Sequence, residues 1–306
     1  MKKFIVTAAA CAVLIAVGSG AAFAQSKKFV VGYANLADTD VFTMSRKNAF
    51  IEAAKADANV SVSFADAGGD ASKQLDQIDN FIAQKVNAIV IVPVDYQGIV
   101  PGVEKANKAG IPVIALGIES AGGKFTFVGS KNLDAGRMQG EFMAKQLPKN
   151  AQIVYLQGQP GLYHSKERLE GFTKALASRT DVKVLANLPA NYDRAEGMKI
   201  TEDWVQKFPK FDALIAANDQ MALGALQALK TAGRKGVMIS GIDGVKDALD
   251  AIKAGDMSQS IFQNAKGQAQ GAFDVVEMIK KGEPAPKEKL IPFESIVKDN
   301  VANYSK

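Results

Sequence analysis

The sequence predicts an α/β protein built from two parallel-sheet units. Three observations predict it: short β-rich runs alternate with longer stretches of helical spacing, the alternation occurs in each half, and the strand runs are almost wholly apolar. Strands alternating with helices give a parallel sheet covered on both faces. Burial on both faces removes the polar alternation that a half-exposed strand would keep. The 306 residues are 47% apolar and 23% charged, which excludes extended disorder and fibrous repeats. One cysteine excludes a disulfide framework, and one histidine argues against a zinc site.

In the first half, strands are expected at Phe29–Ala34, Val60–Ala65, Ala88–Val92 and Pro112–Leu116. Helices are expected at Ser45–Ala58, Ser72–Gln84 and Gln97–Ala109, where Val100, Val103 and Ala106 recur at three-residue steps along one face. The second half repeats the plan. Its strands are expected at Ile153–Leu156, Val182–Ala186, Ala213–Ala217, Val237–Ser240 and Ser260–Phe262. Its helices are expected at Ser165–Ser178, Arg194–Phe208, Gln220–Ala232, Lys246–Ala254 and Gly267–Lys280, with Gly233 and Gly255 at helix ends. Glu283–Pro286 is a proline-rich linker before one short final strand.

Residues 1–24 read as a secretory signal: Lys2 and Lys3, an uncharged apolar run from Phe4 to Val17, then Ala22-Phe23-Ala24 as the cleavage pattern. Cys11 sits inside the apolar run rather than after it, which disfavours a lipid anchor. Removing the signal leaves no thiol, as suits an oxidising compartment, and the expected destination is the bacterial periplasm. The formal charge of +5 includes Lys2 and Lys3, and the remaining charge forms no basic run. A binder of nucleic-acid backbone would concentrate its positive charge, so that class is excluded.

In open parallel sheets, ligands collect beyond the carboxyl ends of the strands. The residues there are dense in carboxylates and carboxamides: Asn35, Asp38, Thr39 and Asp40, then Asp95, Glu119, Gln157 and Gln159, then Asn191, Asp193, Asn218, Asp219, Asp243 and Gln263. Such groups accept and donate in pairs, which matches adjacent hydroxyls on a sugar or polyol. Phe42, Tyr192 and Tyr163 are candidate flat walls for a ring. Plainer readings stand beside these. Asn218 or Asp219 is a helix N-cap, Asp243-Gly244 is a turn, His164 is a surface or helix-start residue, and Trp204 packs in the core with Ile200 and Phe208.

Enzyme signatures are missing. The sequence has no Walker loop, no G-x-S-x-G and no G-x-G-x-x-G after its first strand, and no cofactor or metal is expected.

Several runs resemble a known family, the periplasmic sugar-binding proteins of the ribose-binding type that serve ABC importers. They are Pro112-Val113-Ile114-Ala115, Arg168-Leu169-Glu170-Gly171-Phe172, Pro189-Ala190-Asn191-Tyr192-Asp193-Arg194, Asn218-Asp219-Gln220-Met221-Ala222-Leu223-Gly224-Ala225 and Gly241-Ile242-Asp243-Gly244. The resemblance implies the type I periplasmic binding fold, two Rossmann-like lobes joined by a three-crossover hinge. The N-terminal lobe would be 25–130 plus 264–291, and the C-terminal lobe 131–263 plus 292–306. It implies a ligand held by Phe42, Tyr192, Asn218, Asp243 and Gln263, with Thr39 and Asp40 in the first contact loop; Asp95 is added as a candidate from its place after the third strand. The implied partners are a small sugar or polyol, an inner-membrane permease and a chemoreceptor, and the implied state is a monomer. A chemosensory binder, or a periplasmic carbohydrate-active enzyme, would use the same cleft.

Two departures bear on ligand identity. Many sugar-binding members carry an acidic or amide residue and an arginine after the fourth strand, where this chain has Gly117 and Ile118, followed by Glu119. A second binding arginine, at a helix start in the C-terminal lobe, is expected to be replaced by Lys166. Lysine lacks the planar fork of arginine. Ribose is therefore not expected; a polyol, a cyclitol such as inositol, or a deoxy-type sugar is.

Overall fold

Strand and helix alternate along the chain from Phe29 onward. The computed structural model describes Met1 and residues 28–304, so the signal reading of residues 1–24 lies, Met1 aside, outside the described residues. The first half runs β1 (Phe29–Asn35), α1 (Val41–Ala54), β2 (Val60–Asp66), α2 (Ala71–Ala83), β3 (Ala88–Ile91), α3 (Val100–Lys108), β4 (Val113–Leu116) and β5 (Thr126–Gly129). The second runs α4 (Asn132–Gln146), β6 (Gln152–Gln157), α5 (Tyr163–Leu176), β7 (Lys183–Pro189), α6 (Arg194–Lys207), β8 (Ala213–Ala216), α7 (Asp219–Thr231), β9 (Met238–Asp243), α8 (Lys246–Ala254) and β10 (Gln259–Phe262). Then come α9 (Ala265–Lys280), β11 (Glu288–Leu290), β12 (Glu294–Ile296) and a 3-10 turn at Val301–Tyr304.

Two six-stranded sheets result, ordered β11-β5-β4-β3-β1-β2 and β12-β10-β9-β8-β6-β7. Every strand pair is parallel except β10 with β12, which is antiparallel. The chain passes between the sheets three times: after β5, after β10 and between β11 and β12.

The period-two geometry of a strand sends neighbouring residues to opposite faces, and both faces of the first sheet are buried. Val31, Tyr33 and Val90 pack with Phe50 of α1 and Phe273 of α9 on one side. Ala34, Ile89 and Ile91 pack with Ile78 and Phe81 of α2 and Val103 of α3 on the other. The second sheet is enclosed likewise, with Trp204 of α6 buried in its core. Burying a side chain of this size contributes about 1.5–3 kcal/mol.

Helices α4 and α5 lie backbone to backbone. A Cβ on Gly136 would stand 2.8 Å from Phe172 N, and one on Gly171 2.8 Å from Arg137 N, so only glycine permits this approach. The contact fixes α5 against the start of α4, and with it the side chains that α5 points at the sheet.

Several expectations need correction. Strand β5 and helix α4 were not anticipated, because β5 is four residues long and α4 is interrupted by glycines at its packing face. The single expected C-terminal strand is two short ones, one on each sheet. Helix α1 begins at Val41 rather than Ser45, because Asp40 caps it by accepting from Thr43 N at 2.7 Å. Strand β7 lies at a sheet edge and is largely exposed, with Val184 and Leu188 open to solvent.

Candidate functional site

The carboxyl ends of both sheets face one cavity of about 450 Å³. From the first half it is lined by Thr39, Asp40, Phe42 and Arg46, and by Gly117 and Ile118 after β4. From the second it is lined by Gln159, His164, Arg168, Asn191, Tyr192, Asn218, Asp243 and Gln263. Of the nine residues expected to hold the ligand, seven come together here: Thr39, Asp40, Phe42, Tyr192, Asn218, Asp243 and Gln263, joined by the strand-end residues Gln159, Asn191 and Asp193.

Two do not. Asp95 turns back on its own loop, where its carboxylate accepts from the amides of Gln97 and Gly98. Lys166 is exposed, and the side chains of α5 that line the cavity are His164 and Arg168, of which Arg168 is the cation. Two positions on a helix turn the side chain by about 200°, which moves it from the outer to the inner face. The expected loss of an arginine fork in this half is thus corrected: the fork is present, two residues further along.

Arg168 is 5% exposed and held at three points. Its Nε donates to Asn132 Oδ1 at 3.0 Å, Nη1 to the Ala217 carbonyl at 2.6 Å, and Nη2 to Gln263 Oε1 at 3.0 Å. Its Cζ lies 5.9 Å from the centroid of the Tyr192 ring. Asn218 serves two purposes. Its Oδ1 caps α7 by accepting from Met221 N at 3.0 Å, and its Nδ2 donates to the Tyr192 carbonyl at 3.3 Å.

The backbone around these groups is strained. Asn191, Tyr192 and Asp243 have φ of 54°, 63° and 133°, and all three line the cavity. Non-glycine residues with positive φ cost free energy and persist where surrounding structure enforces them, commonly at functional sites. Asp219, fully buried behind the cavity, does the enforcing at β9. Its carboxylate accepts from Ser260 Oγ at 2.7 Å, Gly244 N at 2.8 Å and Val245 N at 2.9 Å.

Burial raises the Asp219 carboxyl to about 6, against the pull of those three donors. The Asp243 carboxyl has no hydrogen-bond partner among the described residues. Burial pushes it well above the usual carboxylate range; Arg168 opposes this, while Asp219 and Asp40 add to it. An acid in that state can both donate to and accept from a ligand hydroxyl. His164 stacks on Tyr192, with centroids 5.2 Å apart at 18°. Burial, then Arg168 and Arg46, press its imidazole down to about 3, so it stays neutral and its Nδ1 is left without a partner.

Arg46, Arg168 and His164 were missed by the sequence reading. The arginines carried a readable signal. Arg46 falls on the buried stripe of α1 with Thr43 and Phe50, and Arg168 on that of α5 with Ser165 and Phe172. A charged residue at a core-facing position needs a compensating partner or a ligand.

Two parallel α/β halves sharing one polar, aromatic-lined cavity at their strand ends define a two-lobed solute-binding protein. The comparison with known families gives the same class: the periplasmic binding protein domain matches residues 31–284, and the chain belongs to the periplasmic binding protein family. A ribose import binding protein of Bacillus subtilis is 33% identical over 86% of this chain and 85% of its own. A xylitol-binding protein of Mycolicibacterium smegmatis is 36% identical over 94% of this chain and 82% of its own. An ABC transporter solute binding protein from Bacillus halodurans, solved with bound myo-inositol, superposes with a TM-score of 0.87 at 33% identity. That match covers 91% of this chain and 97% of the other. These relatives are solute-binding proteins, and the chain is of their ribose-binding type.

Proposed function

We propose that this protein is the solute-binding component of an ABC importer and carries a neutral polyol or cyclitol, with inositol the leading candidate. The observation that carries the reading is Asp243: a buried carboxyl with no protein partner, on enforced backbone, facing a cavity of monosaccharide size. Relatives that bind xylitol and myo-inositol support the ligand class. In this reading Phe42 and Tyr192 wall the ring. Thr39, Asp40, Asn218, Asp243 and Gln263 meet its hydroxyls, together with Arg168.

Residues 25–130 with 264–291 form one lobe, and 131–263 with 292–306 form the other. Ligand contacts made by both lobes favour the closed state, because a ligand shifts an equilibrium by its differential affinity for the two states. The closed form is then what an inner-membrane permease recognises. Residues 1–24 would direct the chain to the periplasm.

The test is a thermal-shift and calorimetry panel on ligand-stripped mature protein, covering inositols, pentitols, pentoses, hexoses and non-sugar metabolites. Ligand at about 100 times its Kd adds roughly 2.7 kcal/mol, enough to move the melting point by several degrees. A selective response among polyols or cyclitols is the expected outcome. A response confined to non-carbohydrate ligands would overturn the reading.

A further inference from the structure

The arginine absent after β4 has a counterpart that enters from another element. Arg46 of α1 is 2% exposed and lines the cavity, yet it forms no ion pair among the described residues. Its Nη1 donates to Gln268 Oε1 at 2.9 Å, and its Nε has no partner. A guanidinium has five N–H donors, and leaving them unmet in a buried place is costly. The Tyr33 hydroxyl, itself without a hydrogen-bond partner, lies against Arg46 and can meet one of these donors; a ligand in the cavity is the acceptor that the others can reach.

Gly117 is what lets the guanidinium in. A Cβ at position 117 would stand 2.7 Å from Arg46 Cζ and overlap Nη1, and Gly117 also has φ of +79°. Any side chain there would occupy the space that Arg46 fills. The loss of a side chain after β4 and the entry of Arg46 from α1 are therefore one exchange.

The guanidinium is also held rigidly. Gln268 Nε2 donates to Ser130 Oγ at 2.9 Å, and Ser130 Oγ donates to the Ile291 carbonyl at 2.6 Å. Ser130 and Ile291 lie in two of the three segments that pass between the sheets, and Gln268 lies on the first turn of α9, just after the third.

We infer that Arg46 is a specificity-determining donor of this cavity, presenting its guanidinium through the space left by Gly117 to hydroxyl oxygens of a neutral polyol or cyclitol. The inference rests on the functional reading above and deepens it.

The experiment is calorimetry of wild type, Arg46→Met, Arg46→Lys and Gly117→Ala against myo-inositol, its mono-deoxy analogues, xylitol, ribose and glucuronate. Melting points of the ligand-free proteins are measured alongside. Arg46→Met and Gly117→Ala should each weaken the preferred polyol about 10- to 100-fold, as loss of charged hydrogen bonds requires. One deoxy analogue should bind wild type and Arg46→Met alike, because its missing hydroxyl is the one that Arg46 meets; a merely structural arginine would produce no such equality. The ligand-free melting point of Arg46→Met should change little, since removal of a buried unpaired charge offsets the Gln268 Oε1 that is left unmet.

Wild type that binds a polyol, with Arg46→Met binding it equally, overturns this inference alone. So does an equal loss for every deoxy analogue. A wild type that responds only to glucuronate, or to none of these ligands, overturns the functional reading and this inference together.

Discussion

Tyr96, in the loop after β3, and Tyr163, the first residue of α5, stack face to face across the two halves of the molecule, with ring centroids 4.4 Å apart and planes 10° from parallel. Tyr163 thus joins the two halves and stands outside the cavity lining, where the sequence had offered it as a ligand wall. An aromatic pair contributes about 0.5–1.5 kcal/mol beyond the area it buries. Tyr163→Ala should therefore raise Kd by about 2- to 10-fold. The effect should fall mainly on the dissociation rate, measured by stopped-flow, with the association rate little changed.

The same region carries two carboxyls on opposite halves. Burial raises Glu119, with Glu288 adding and Lys131 and Lys287 opposing. Burial raises Glu167, with Tyr163 and Arg168 opposing and Glu119 and Glu170 adding. A folded-state pKa above the unfolded one favours the folded form at low pH, and that contribution is lost as pH rises through the folded value. The double variant Glu119→Gln, Glu167→Gln should then melt above wild type at pH 7.5 and level with it near pH 4. A wild type that gains no advantage over this variant on acidification would contradict the reading.

Ser130 accepts from Gln268 and donates to the Ile291 carbonyl, so Ser130→Ala strands two buried groups at the crossovers. Each unsatisfied group costs about 1–3 kcal/mol. The melting point should fall by about 4–8 °C in scanning calorimetry.

Asp243→Ala should reduce affinity for the ligand found in the panel by about 10- to 100-fold, since the carboxyl donates one hydrogen bond and accepts another, at roughly 0.5–1.5 kcal/mol each. The ligand-free variant should melt no lower than wild type, because the carboxyl it loses has no protein partner to leave behind. Tyr192→Ala should cost only about 2- to 10-fold in calorimetry, by loss of a stacking wall.

Strand-helix alternation was legible from Phe29 onward because strands buried on both faces leave apolar runs, and the strand-end rule then led to Asp243, Asn218 and Gln263. What escaped did so for physical reasons. Helix α4 packs through Gly136 and Gly140, so its inner face lacks the large apolar side chains that mark a helix in a sequence. Lys166 and Arg168 are two positions apart in the chain, and only helical phase, which puts Arg168 on the buried stripe of α5 and Lys166 outside it, separates them. Arg46 lies in a helix rather than at a strand end, and only the gap at Gly117 explains its reach into the cavity.

The closing segment of the chain completes both sheets. Phe273, Val275 and Val276 of α9 cover a face that Val31, Phe50 and Val90 leave open, β11 pairs with β5, and β12 pairs with β10. During synthesis, the half made first therefore waits on residues made more than a hundred positions later. Neither half can be finished in isolation as it leaves the ribosome.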